Sequence, residues 1–234
     1  MQQSRSGFSL VEIAIALTVI AILAVAISKG QDIIENARLT KLIGEIDQVK
    51  TSVKNFTIAY EAMPGDYIKA TSVFGSSVEN GDANGVIDYQ NISSVYEHSN
   101  AILHMQRAEM LPDQGGTTAN HGANYQLTSF SEASLRLFYL LAASGNAHAN
   151  YDYFGDPAHL FQIGTSTNTN GALLVPNQAK KVDLKIDDGL PKSGYMTFRN
   201  IDDSTDADCT GESTEYLASA SEPACNIVLR LFYF

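Results

Sequence analysis

The chain has 234 residues, 44% of them apolar, which is material for one good-sized domain plus an extra element and makes disorder throughout untenable. Its 26 acidic against 15 basic side chains give a formal net charge of -11, which argues against a surface holding nucleic acid through generic phosphate contacts. Two cysteines, Cys209 and Cys225, form the natural loop-closing pair if that part of the chain reaches an oxidising compartment, and are free thiols if it stays in a reducing one.

From Phe8 to Ile27 the sequence FSLVEIAIALTVIAILAVAI carries a single charge, Glu12. As a helix this run is about 30 Å long, one hydrocarbon thickness, so it can span a bilayer. A cleaved signal peptide is the rival, since Ala24-Val25-Ala26 is an Ala-x-Ala-like triplet and Ser28-Lys29-Gly30 follows the run. Glu12 separates the two, because a carboxylate in an apolar span costs roughly 2.5–3.5 kcal/mol and usually has a partner. Were the chain cut after Gly7, the new amine at Phe8 would lie one helical turn from Glu12, on its own chain or a neighbour's, and the pair would set an axial register between subunits.

Gly7-Phe8-Ser9-Leu10-Val11-Glu12, heading an Ile/Ala/Leu-rich run, resembles the processing site of type IV pilins and type II secretion pseudopilins. The resemblance covers about the first sixty residues. It implies that a membrane prepilin peptidase cuts after Gly7 and methylates the new Phe8 amine, and that Glu12 supports methylation and assembly. It further implies a leader over 1–7 left in the cytoplasm, a transmembrane and assembly helix over 8–28, and an α+β, pilin-like fold.

Past the membrane run the helix continues over 29–62 as an amphipathic stalk. Leu39, Leu42, Ile46, Val49, Val53, Phe56 and Tyr60 alternate spacings of three and four, while Lys41, Glu45, Asp47, Lys50 and Lys54 lie off that seam. Such a heptad-like stripe packs on the chain's own head, with a free coiled coil as the alternative. Met63-Pro64-Gly65-Asp66 ends the helix, and no earlier proline interrupts it, so Ser28 and Gly30 are its only local weak points.

The head divides into a helical and loop region over 63–150 and a β-rich part over 151–234. Helices are expected over Val95–Met110 and over Glu132–Ala143, the second introduced by Ser129-x-x-Glu132 and followed by Gly145. Gln114–Asn124 reads as a surface loop. Short strands are expected at Leu160–Ile163, Ala172–Val175, Tyr195–Arg199 and Asn226–Phe234, making an antiparallel sheet on the upper half of the long helix. The last run is apolar on both faces apart from Arg230, as in a covered strand. Cys225 would tie its start to the loop of Asp202, Asp203, Asp206 and Asp208, similar to the C-terminal disulfide loop of many pilins.

One segment has ligand spacing. Asn80, Asp82, Asn84, Asp88 and Asn91 put oxygen side chains at positions 1, 3, 5, 9 and 12 of an EF-hand-like loop, with Gly85 at 6 and the Val86 carbonyl at 7. Calcium is the cofactor this suggests, held weakly or with help from Glu79 or Asp66, since Asn91 replaces the bidentate Glu. An Asn84-Gly85 hairpin turn is the alternative. His98, His104, His121, His148 and His159 are scattered and read as polar surface residues. No nucleophile, base or metal set converges, so no catalytic residue is assigned.

These features predict a structural subunit of a type IV pilus or secretion pseudopilus rather than an enzyme. Its partners would be the prepilin peptidase, copies of itself or other pilins, and the inner membrane before assembly, with the head in the periplasm and later in a periplasmic or extracellular filament. A solitary membrane-anchored binding protein, never processed, is the alternative.

Overall fold

The computed structural model describes residues 9–88, 97–114, 125–130, 132–140, 157–165, 171–200, 209–210, 215–217 and 221–231. It is an α+β chain in which one long helix, α1 (Leu10–Tyr60, 51 residues), runs from an exposed apolar half into the head. Its length is about 77 Å. The helix passes through Ser28 and Gly30 without a break, and the Ser28 hydroxyl donates to the Ala24 carbonyl at 3.2 Å. Glu61, in the left-handed region at φ 52°, closes it, and the Pro64-Gly65 turn follows with Asp66 donating to the Met63 carbonyl.

The expected seam is the packed face. Leu39, Leu42, Ile46, Val49, Val53 and Phe56 are buried, and Tyr60 packs partly buried against the same core. Each such side chain contributes about 1.5–3 kcal/mol by leaving water. The covering surface comes from α3 (Glu97–Arg107), α4 (Pro176–Ile186) and one face of a five-stranded sheet. A further short helix, α2 (Ala70–Phe74), follows the α1 turn, and its neighbours Tyr67 and Phe74 stack around Phe56 and Tyr60.

The sheet consists of β1 (Tyr125–Gln126), β2 (Ala133–Leu140), β3 (Ala158–Thr165), β4 (Met196–Asn200) and β5 (Cys225–Arg230), in the order β1-β2-β3-β5-β4, with every pairing antiparallel. Leu135, Leu137, Phe161, Ile163, Ile227 and Leu229 face α1, and Phe138, Leu160 and Val228 form a second buried cluster. β5 is buried along its length up to Arg230, as its two apolar faces require.

Three local expectations fail. Residues 133–140 form strand β2 and not a helix. Its full eight-residue ladder with β3 satisfies the backbone, and the preceding turn donates to Glu45 of α1 instead of capping a helix: Thr128 N–H at 2.8 Å, its hydroxyl at 2.6 Å and Ser129 N–H at 3.2 Å. The sheet therefore draws β1 and β2 from before Tyr151, across the boundary drawn between the two parts of the head. The 172–175 run makes only an isolated bridge, Leu174 to Cys225, because Pro176 opens α4 directly after it. Residues 95–96, 108–110 and 141–143 divide between non-helical backbone after Arg107 and positions outside the described residues, as do most of the 114–124 loop, the acidic 202–208 segment and Phe232–Phe234.

Candidate functional site

Ser9 caps α1. Its hydroxyl accepts the Val11 N–H at 3.3 Å, and the Glu12 carboxylate accepts the Ser9 N–H at 2.8 Å, so the acid completes a reciprocal cap at the positive end of the helix. Gly7 and Phe8 lie outside the described residues. Beyond the cap, Leu10, Ile15, Leu17, Ile20, Ile22 and Ile27 stand more than half exposed, and the stretch is long and apolar enough to cross a membrane. An apolar surface of this extent on the first half of α1, left uncovered by the described residues of the head, is a surface for lipid or for other helices.

The second feature is the 80–88 loop, where two carboxylates from outside it act as acceptors for its backbone. Asp66, directly after the α1 turn, takes the Asn84 N–H at 3.0 Å on Oδ1 and the Gly85 N–H at 2.8 Å on Oδ2. Glu97, opening α3, takes the Asp82 N–H on Oε1 and the Asp88 N–H on Oε2, each at 3.0 Å. Gly85 has φ 88°, a backbone state that glycine adopts without a Cβ penalty. The Asn84 amide bridges Asp82 Oδ2 at 3.1 Å and Asp88 Oδ2 at 2.9 Å. Asp66, Asp82 and Glu97 each bring a carboxylate oxygen within 4.8 Å of the others.

Of the sequence-predicted ligands, Asp82, Asn84 and Asp88 thus converge, and Val86 lies between them with its N–H on Asn84 Oδ1 at 2.9 Å. Asn80 does not join them, because its side chain accepts the Thr71 N–H at 2.8 Å and holds α2 instead. Asn91 lies outside the described residues. Of the two proposed helpers, Asp66 is at the loop's centre, whereas the Glu79 backbone is spent elsewhere, its N–H on Asn100 and its carbonyl on His104. Glu97 was missed by sequence reasoning; its only signal is its place at the start of a helix.

Burial dominates the electrostatics. It lifts the Asp66 carboxyl to about 6 and the Glu97 carboxyl to about 7, with the neighbouring acids adding to the rise and the loop N–H groups opposing it. A cation placed among crowded carboxylates of this kind would favour their ionised forms.

The histidines correct the surface expectation. His104 and His159 are fully buried. His104 Nδ1 accepts the Gly65 N–H at 2.9 Å and its Nε2 donates to the Glu79 carbonyl at 2.9 Å, while His159 Nε2 accepts the Ile87 N–H at 3.0 Å. Each is a neutral connector serving backbone groups that the 63–88 segment cannot pair within itself. Desolvation lowers both to about 4. His121 and His148 lie outside the described residues.

Cys209 and Cys225 are joined, with Cα atoms 4.9 Å apart, so the bridge ties the first residue of β5 to the segment before it. Cys225 also exchanges backbone hydrogen bonds with Leu174, and Leu217 donates to the Cys209 carbonyl.

Compared with known proteins, residues 2–28 match the prokaryotic N-terminal methylation motif, the signature of type IV pilins and pseudopilins. No curated protein and no solved structure matches the chain at a significant level.

Proposed function

We propose, from the methylation motif that heads α1, that this chain is a structural subunit of a type IV pilus or a type II secretion filament. In this reading the prepilin peptidase cuts after Gly7 and methylates the amine of Phe8. The chain first sits in the inner membrane through the apolar half of α1 with its head in the periplasm. Assembly then transfers the same apolar surface from lipid to neighbouring subunits.

The observation that carries the proposal is the motif at 2–28 placed on a helix whose first half is exposed and whose second half is the spine of the head. Such a helix can exchange lipid for protein neighbours without any change in the head. The test is the N-terminal residue and mass of the chain recovered from membranes that contain the peptidase. A start at N-methylated Phe8 is expected; an intact Met1 would mean an unprocessed anchor, and a start after Ala26 a cleaved signal peptide.

The 80–88 loop enters the same reading as a calcium site, formed by Asp82, Asn84, Asp88 and the Val86 carbonyl with Asp66 and Glu97. All donors are oxygens, the preference of calcium, and a bound cation would relieve the crowding of buried acids. Asp66 and Glu97 each keep lone pairs beyond the N–H groups they accept. Calcium here would lock the α1–α2 turn to α3 and so stiffen the top of the head in the filament.

A further inference from the structure

Helix α4 ends against its own electrostatics. Its last turn is followed by Asp187 and Asp188, with Asp183 one turn earlier, so three acids gather where the carbonyl end of the helix already carries partial negative charge. Asp183, Asp187 and Asp188 each offer a carboxylate oxygen within 4.8 Å of the others. Two of the three lysines of α4 reach the other way: Lys181 pairs with Glu35 at 2.7 Å and Lys185 donates to the Thr40 hydroxyl at 3.1 Å, both on α1.

The three acids are held apart from one another's protons by separate anchors. Tyr216 donates its hydroxyl to Asp183 Oδ2 at 2.5 Å. Asp187 Oδ2 accepts the N–H groups of Tyr195 and Met196. Asp188 accepts the Leu190 N–H at 2.8 Å on Oδ1 and the Ser193 hydroxyl at 2.6 Å on Oδ2. Asp183 keeps one buried oxygen over. Asp183 is 0% exposed, and its Oδ1 has no hydrogen-bond partner. A buried acceptor without a donor destabilises the fold, the more so when it is charged.

We propose that Asp183, Asp187 and Asp188 form a second calcium site, distinct from the 80–88 loop, in which the ion takes the unpartnered Asp183 Oδ1 as its innermost ligand. Burial grades outward from buried Asp183 through half-buried Asp187 to exposed Asp188, which gives the ion a path from solvent. Carboxylates and water are hard oxygen donors, and a set drawn from the last turn of a helix and the residues after it suits calcium's flexible coordination better than the strict octahedron of magnesium. The ion would pin the end of α4 and the start of β4 to Tyr216, and through it to the disulfide-linked segment at Cys209. This inference does not depend on the filament reading.

The chain has no Trp, so tyrosine is its sensitiser for lanthanide emission, and Tyr216 stands on the proposed ligand Asp183. The full chain in detergent is titrated with terbium under tyrosine excitation and then with competing calcium, in an Asp82→Asn background that silences the other loop. Saturable emission displaced by millimolar calcium is expected. Asp188→Asn and Asp183→Asn should each weaken binding at least about tenfold, and Tyr216→Phe should dim the emission while calcium still raises the melting temperature. If Asp183→Asn fails to fold, exposed Asp188→Asn decides alone. Absence of saturable binding in the Asp82→Asn chain, or binding unchanged by Asp188→Asn, overturns the site.

Discussion

The Glu12 carboxylate accepts the Ser9 N–H at 2.8 Å, so the acid that stands alone in the apolar run is also the cap of the helix that contains it. Acceptor and charge can be separated by mutation. Glu12→Gln keeps an oxygen for Ser9 and removes the charge; Glu12→Ala removes both. If the charge pairs with a processed amine in the assembly, both variants remain membrane-inserted and folded, and both lose about 3–5 kcal/mol of assembly free energy. The readout is the subunit recovered in sheared filaments. Wild-type recovery of Glu12→Gln would reduce the residue to a cap.

Glu45 fastens the β1–β2 turn to α1 through three hydrogen bonds from Thr128 and Ser129. Burial opposes its ionisation, yet these bonds prevail and hold the carboxyl below its ordinary value. Glu45→Ala leaves two N–H groups to solvent or to nothing, and should destabilise the head by about 1–3 kcal/mol, measured as a lowered denaturant midpoint with unchanged slope.

His104 is neutral in the fold with its pKa pushed down to about 4. Its folded value lies below its unfolded value, so its contribution is complete at neutral pH and is lost as pH falls from about 6.5 towards 4. Comparing melting temperatures of wild type and His104→Leu across that interval isolates the term. The wild type should lose more on acidification than the variant, although the variant is less stable at pH 7.5 because the buried Gly65 N–H is left without its acceptor.

Asp66 and Glu97 behave in the opposite sense. Their folded values, about 6 and about 7, lie above the unfolded ones, so ionising them as pH rises from about 4 to 7 works against the fold in the absence of a counter-ion. On the proposal that the 80–88 loop binds calcium, the ion must displace those protons. The increase in melting temperature caused by calcium should therefore grow from pH 5 to pH 8, and shrink in Glu97→Gln. A calcium effect independent of pH would remove these two acids from the site.

Reducing the Cys209–Cys225 bridge reopens a loop of sequence separation 16 and should cost about 3 kcal/mol. For a chain of this size that is a fall of roughly 6–12 °C in melting temperature, read by comparing oxidised and reduced protein. Serine at both positions should reproduce the reduced value.

The long helix was legible because its signals are local and repeated: an apolar run, a seam of threes and fours, and Pro64 to stop it. β3, β4 and β5 were legible for the same reason. β2 was not, since Ser129-x-x-Glu132 fits a helix start until Glu45, far away in sequence, takes the turn's N–H groups. α4 was missed although Pro176 marks its first turn and Ala179 and Val182 share a buried face, because Leu173-Leu174-Val175 beside it read as a strand. At the 80–88 loop, spacing singled out Asp82, Asn84 and Asp88, whose side chains do meet, but Glu97 arrives by tertiary packing and leaves no trace in a linear motif. The two buried histidines belong to the same class: what decides their role is an unpaired N–H elsewhere in the chain.

The strand that joins the β4 edge to the rest of the sheet is also the last of the described strands in sequence. β5 lies between β3 and β4, and neither neighbour is hydrogen-bonded to the other without it. Synthesis delivers α1 first, and on the filament reading it can enter the bilayer while β1, β2 and β3 still lack the strand that joins them to β4. β4 must wait on the far side until residues 225–230 arrive, and only then can Cys225 meet Cys209. On the filament reading of the chain, the molecule would be anchored before it is folded, and formation of the Cys209–Cys225 bridge would mark the arrival of β5.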